Sequence, residues 1–283
     1  MRKILILFVS MLLVMAACSN GDNENNNDHL NNNNNENNVE NQDENNNDNI
    51  NNETNEEENN NEENDDEEDF TFSEPKYEIN EAWSIVPIDD SVDENVVLLT
   101  IDDAPENYAL DMAKTLDELG APAIFFVNGH FLETEEQKET LREIHDLGFV
   151  IGNHTYGHQN LAEISNEEIR EEIVSVNDMV EEIIGERPVF FRAPFGVYSD
   201  YAKEVIKEEN MTHMNWSYGY DWEADYMTKD AIADIMVNTE FLNAGSNLLM
   251  HDRKWTSEAL EDIVKGLEDK GYDFVDPLLI KTN

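Results

Sequence analysis

From Val96 to Val275 short apolar runs alternate with longer amphipathic stretches, and few folds satisfy that rhythm. Residues 96–101 (Val-Val-Leu-Leu-Thr-Ile) are apolar and β-branched without interruption, as in a strand covered on both faces. Strands are likewise expected over 123–127, 149–151, 189–191, 211–216, 247–250 and 272–275. Helices are expected over 107–119, 134–147, 166–184, 199–208, 228–242 and 257–270. In the first of these, Leu110, Ala113, Leu116 and Leu119 share one face and Gly120 supplies the stop. Strand and helix in turn mean an α/β domain with parallel strands joined by crossover helices. Sites in such folds form at the C-terminal ends of the strands.

Upstream the chemistry changes. Arg2-Lys3, an apolar run over 4–14 and Met15-Ala16-Ala17-Cys18 have the layout of an export signal over 1–17, too short to span a bilayer comfortably. Cys18 is the single cysteine, so no intramolecular disulfide can form. Its position after Ala-Ala resembles a bacterial lipobox, with Met15 where leucine is usual. Cys18 is then expected as the lipidated first residue of a protein held on the outer face of the cell membrane; an ordinary signal peptide cleaved nearby is the alternative, and either way the protein is exported. From Ser19 to Asp69 the chain is mostly Asn, Asp and Glu with no Lys or Arg. Such a stretch cannot bury enough surface to offset its ordering entropy, so 18–69 reads as a disordered acidic tether. Residues 70–95, with Trp83 and two prolines, form a lead-in expected to pack on the domain without assignable regular structure, and 96–283 is one domain.

The formal net charge is −48, and the tether holds 19 of the 65 acidic residues. Most of the imbalance therefore lies in the foldable part, which argues against nucleic acid or an anionic membrane surface as partners. The lipid is then the membrane contact. An acidic surface also suits a salty or alkaline habitat. Oligomeric state has no sequence signal.

Two features carry chemistry. His154 and His158, four apart after an apolar run and Gly152, can converge on one cation. Asp102-Asp103 closes the first buried strand, where adjacent carboxylates repel unless a cation or proton separates their roles. One carboxylate with two histidines leaves coordination positions open, the mark of a catalytic rather than a structural centre.

Thr100-Ile101-Asp102-Asp103-Ala104-Pro105, His154-Thr155-x-x-His158, Arg192-Ala193-Pro194-Phe195, Asp221-Trp222 and Leu249-Met250-His251 follow one another as do the motifs of the polysaccharide deacetylases. The chain is identified by this resemblance as a member of that NodB-homology, carbohydrate esterase family 4 group over about 96–274. The resemblance implies an irregular (β/α) barrel of about seven parallel strands. It implies Asp103, His154 and His158 as metal ligands, with zinc expected and cobalt or another divalent ion as alternatives. Asp102 matches the base acting on metal-bound water, and His251 the acid that protonates the departing amine. Arg192 and Asp221 are paired in the family so that the guanidinium tunes Asp102. The N–H of Phe195 would meet the developing oxyanion, while Trp222 and Leu249 would wall the acetyl pocket. Thr155 would hydrogen-bond within the metal loop.

Three departures stand out. Ala104 replaces a usual glycine, so a positive φ there would cost about 1 kcal/mol or more. Phe195 replaces tyrosine. Tyr218 stands where an aspartate precedes Asp221 by three. The resemblance thus implies removal of N-acetyl groups from a cell-surface polysaccharide, with peptidoglycan the nearest polymer for an exported, tethered enzyme. A glycan-binding wall lipoprotein and a metal-dependent hydrolase of another amide or ester are the alternatives. His29, His130, His145 and His213 match no motif.

Overall fold

A computed structural model describes residues 74–283. The expected signal, Cys18 and the tether lie outside the described residues. The lead-in does form regular structure: β1 (Tyr77–Ile79) and β2 (Ile85–Pro87) pair antiparallel with Tyr77 opposite Pro87. Tyr77 and Ile85 enter an apolar cluster with Val96, Leu98, Phe126 and Phe190, so the lead-in packs on the sheet.

The main sheet is built from β3 (Val96–Ala104), β4 (Ala123–Val127), β5 (Val150–Asn153), β6 (Phe190–Phe191), β7 (Thr212–His213), β8 (Ser246–His251) and β9 (Asp273–Phe274). Its order is β7-β6-β5-β4-β3-β8, with β9 also on β3, and every pairing is parallel. Val97, Leu98, Leu99 and Ile101 of β3 are fully buried, as its unbroken apolar run requires. The crossovers are α1 (Ala109–Leu119), α2 (Glu135–Asp146), α3 (Asn166–Ile184), α4 (Asp200–Glu208), α5 (Lys229–Asn238) and α6 (Lys254–Asp269). Capping boxes open α2 (Thr134 with Gln137) and α3 (Ser165 with Glu168), each satisfying two otherwise unpaired backbone donors.

The expected strand over 211–216 is cut to two residues, and the reason is positional. After β7 the chain leaves that edge, and Ser217–Tyr218 pairs with β8: the Ser217 N–H donates to Asn247 O and the Leu249 N–H to Tyr218 O. The curled sheet is thereby drawn round on itself into a half-barrel of six to seven strands. Tyr218, at the position of the missing aspartate, is buried, and its hydroxyl donates to Met236 O in α5 at 2.7 Å. Its departure from the family pattern is absorbed by packing, away from the cleft.

Candidate active site

Alternation along β3 would send Asp102 and Asp103 to opposite faces. Two distortions prevent this. The β3/β4 register shifts between Ile101 and Ala104, and Asp103 adopts φ +62°. Ala104 escapes the cost that a positive φ would carry there, because the left-handed residue is Asp103; Ala104 itself is buried and its bond to Pro105 is cis. As a result Asp102 Oδ2 lies 3.6 Å and Asp103 Oδ1 3.8 Å from His154 Nε2, and Asp103 Oδ1 lies 3.5 Å from His158 Nε2.

His154 follows β5 directly, its N–H bonded to Val127 O. Its Nδ1 is 2.7 Å from Arg192 O; a carbonyl only accepts, so the proton sits on Nδ1 and the Nε2 lone pair faces the carboxylates. Burial and the neighbouring His154 pull His158 below its ordinary pKa, against the opposing charges of Asp103 and Asp102, which favours the neutral, ligating ring. Burial works against ionised Asp103, yet His154, His251, His158 and Arg253 outweigh it and hold the carboxyl below its usual range. One ligand atom each from Asp103, His154 and His158 lies within 4.8 Å of the others. Donor types, tautomer and spacing all fit a divalent cation.

The loop between the histidines is strained. Thr155 has φ +67° and His158 φ +55°, uncommon conformations that cost about 1–3 kcal/mol each. Thr155 is held through its backbone: its N–H donates to Asn153 Oδ1, and its carbonyl accepts from Asn128 Nδ2 and the Gly129 N–H. Its buried hydroxyl has no partner among the described residues, so the expected bond within the loop is made by backbone alone. Gly152 answers a packing demand, because a Cβ there would meet Phe126 Cδ1 at 2.5 Å, and the Arg192 guanidinium sits 4.5 Å from that same ring.

The expected pairing of Arg192 with Asp221 is corrected. Arg192 is fully buried and donates from Nη1 to Asp102 Oδ1 at 2.8 Å and to Thr100 Oγ1 at 2.7 Å, and from Nη2 to Asn215 O and Asn247 Oδ1. It therefore acts on Asp102 directly. Asp221 belongs to His251, accepting from its Nδ1 and its backbone N–H, and also from Thr256 Oγ1. The two ion pairs flank the Asp-His-His cluster instead of joining each other.

A cleft of about 480 Å³ opens over these groups, lined also by Phe195, Trp216, Trp222, Leu249 and Arg253. Phe195 (64% exposed, φ +59°) packs edge-on to His158, and Trp222 (45% exposed) edge-on to His251, so two aromatic rims face solvent. Leu249 is buried at its wall. Two residues, Arg253 and Trp216, went unread in the sequence, and Asp252 was placed near the site without a role. Arg253 donates to Asp103 Oδ2 at 2.7 Å and also reaches Glu106. Asp252 accepts from the N–H groups of Asn107 and Tyr108, where it fastens the turn after β3. Trp216 lies 6.3 Å from Trp222. Arg253 stands two residues after His251, which was the available signal for it.

A half-barrel with Asp-His-His at its strand ends and Asp–Arg and Asp–His pairs beside it defines a hydrolase of the carbohydrate-esterase type. Known proteins agree. The family model described as polysaccharide deacetylase matches residues 89–214. The chain is 30% identical over 195 residues to the peptidoglycan-N-acetylmuramic acid deacetylase PdaA of Bacillus subtilis, covering 66% of this chain and 73% of that protein. The solved peptidoglycan deacetylase PdaC of Bacillus subtilis superposes with TM-score 0.58 at 30% identity, over 66% of this chain and 92% of that one. A carbohydrate esterase family 4 pseudoenzyme from Bacillus anthracis gives TM-score 0.59 at 26% identity, with 66% of each chain covered. The chain belongs to the polysaccharide deacetylase family, hydrolases acting on carbon–nitrogen bonds other than peptide bonds.

Proposed function

We propose that this chain is a metal-dependent N-deacetylase of a cell-surface glycan, with peptidoglycan as its polymer, held at the outer face of the membrane by a lipid on Cys18. One observation carries the reading: Asp102 is engaged by Arg192, while Asp103 turns its Oδ1 toward both histidines. Two adjacent carboxylates thus have separate duties. Asp103, His154 and His158 would hold the cation, zinc first. Bound there, it would supply Lewis acidity, making a water more acidic and a carbonyl more electrophilic.

The chain's own groups divide the remaining work. Asp102, fixed by Arg192, takes the proton of the attacking water. His251, fixed by Asp221, gives a proton to the departing amine, so the amine leaves as a neutral group. The backbone N–H of Phe195 is offered to the oxygen on which charge develops. Phe195 and Trp222 receive the sugar faces, and Leu249 the acetyl methyl. Peptidoglycan is favoured by the named relatives and by the expected export signal.

Acetate release by the zinc-loaded full chain, from peptidoglycan and from N-acetylglucosamine oligomers, tests this, with His154→Ala beside it. Release by the parent and none by the variant is expected. Oligomer binding without release would make the protein a glycan-binding lipoprotein, and release only from small acetyl esters would make it another kind of hydrolase.

A further inference from the structure

The metal loop is gripped from one helix. Glu172 of α3 accepts the Gly157 N–H at Oε2 (2.8 Å) and the Gln159 Nε2 amide at Oε1 (2.7 Å), while its carbonyl accepts the Tyr156 N–H at 2.8 Å. One residue therefore holds three of the five positions from Tyr156 to Asn160, a stretch that includes His158. A Cβ on Gly157 would stand 3.0 Å from Glu172 Oε1, so the loop approaches as closely as glycine permits. One turn on, Ile173 O and Asn177 Oδ1 both accept from Asn153 Nδ2, anchoring the strand end just before His154.

Glu172 is only 6% exposed, and among the described residues its carboxylate meets a backbone N–H and a neutral amide and forms no ion pair. A buried carboxylate without a cation is costly, and its lone pairs here are spent on a backbone donor and an amide of a single short loop. That loop contains two residues at positive φ: Thr155 is fixed by Asn153 and Asn128, whereas His158 stands between the two positions that the Glu172 carboxylate holds. The restraint bears on the position of His158, since Gly157 and Gln159 are its chain neighbours on either side.

The geometry points to Glu172 as a positioning residue that sets cation affinity through His158, an inference that rests on the Asp103-His154-His158 reading. Glu172 touches no reacting atom. Its carboxylate keeps the loop strained, so His158 Nε2 faces Asp103.

The test reads metal uptake and requires no substrate. The full chain is stripped with chelator, then titrated with Zn²⁺ by calorimetry and with Co²⁺ while its visible absorption is followed. Partners just outside a metal's ligands typically contribute 10–100-fold in affinity, so Glu172→Ala is expected to bind Zn²⁺ about 10–100-fold more weakly and to change the Co²⁺ spectrum. Glu172→Gln is isosteric: its Oε1 can keep the Gly157 N–H, and the exposed Gln159 amide can turn to accept from its Nε2, so affinity within about threefold of the parent and an unchanged spectrum are expected. Glu172→Leu keeps the bulk but accepts neither bond, and a loss of about tenfold or more is expected. An unchanged affinity in Glu172→Leu overturns the proposal. So does a Glu172→Gln variant that loses as much as Glu172→Leu, since charge and not the hydrogen bonds to the loop would then set the affinity. Should Glu172→Ala not fold, the Gln and Leu variants decide. A parent that takes up neither ion overturns the metal reading itself at the first titration, before any variant is compared.

Discussion

Asp221 grips His251 at both ends: Oδ1 accepts from Nδ1 and Oδ2 from the backbone N–H, each at 2.7 Å. The ring is thus fixed with Nε2 free, the atom from which a proton can pass to a leaving amine. Burial pulls the ring's pKa down, but the hydrogen bond and charge of Asp221, with the charges of Asp102 and Asp103, outweigh it and leave His251 above its ordinary value.

A general acid acts only while protonated, so activity should fall as pH rises through the pKa of His251. Asp221→Asn removes the charge that raises that pKa. The alkaline limb of kcat is therefore expected to move to lower pH, with kcat at neutral pH reduced on the order of tenfold to a hundredfold. A pH–rate profile of parent and variant checks this; an unmoved alkaline limb would remove His251 as the acid.

Arg192→Met should be severe. It leaves Asp102, 1% exposed, without its only ion-pair partner besides His154 among the described residues, and strips a donor from Thr100 and from Asn247. Breaking a buried pair from one side costs about 3–5 kcal/mol. For a domain of this size, Tm should drop on the order of 10 °C in a thermal melt. Acetate release should fall with it.

Trp222→Ala should separate binding from folding. The ring is 45% exposed and packs only at the cleft, so its loss should leave Tm within about 2 °C. Loss of an aromatic face worth about 1.5 kcal/mol predicts a KM for glycan oligomers raised on the order of tenfold. A KM that does not move would place the sugar elsewhere.

Beyond the tether, 46 acidic residues face 15 basic ones, a net charge of −31 that predicts self-repulsion relieved by salt. Between about 0.1 M and about 1 M NaCl the Debye length shrinks from about 10 Å to about 3 Å, so the urea midpoint should rise across that range. A flat or falling midpoint would show that the acidic residues are already balanced locally.

Much of this protein was readable from residue order. Each α-helix and sheet strand after Val96 announced itself through spacing over a few residues, because propensity, capping and apolar period are local properties. The Asp-Asp, His-x-x-x-His and Leu-Met-His stretches were legible for the same reason, since ligand-type residues sat where strands end. What the sequence misplaced was long-range. Strand 211–216 was overextended because its local β character does not reveal that Ser217–Tyr218 leaves for β8. The lead-in hid β1 and β2 because each is three residues long and exists through its partner.

The sequence by itself determined an α/β chain, the order of its elements and the kinds of side chain available at the strand ends. Only the tertiary structure decided which of them meet. Arg192 turned to Asp102, 90 residues away, rather than to Asp221, and Arg253 reached Asp103 across 150. A register shift and a left-handed Asp103 put adjacent carboxylates on one side of β3. Such contacts depend on how the sheet curls and on which buried polar group must be satisfied by which neighbour, and neither is encoded within a few residues of chain.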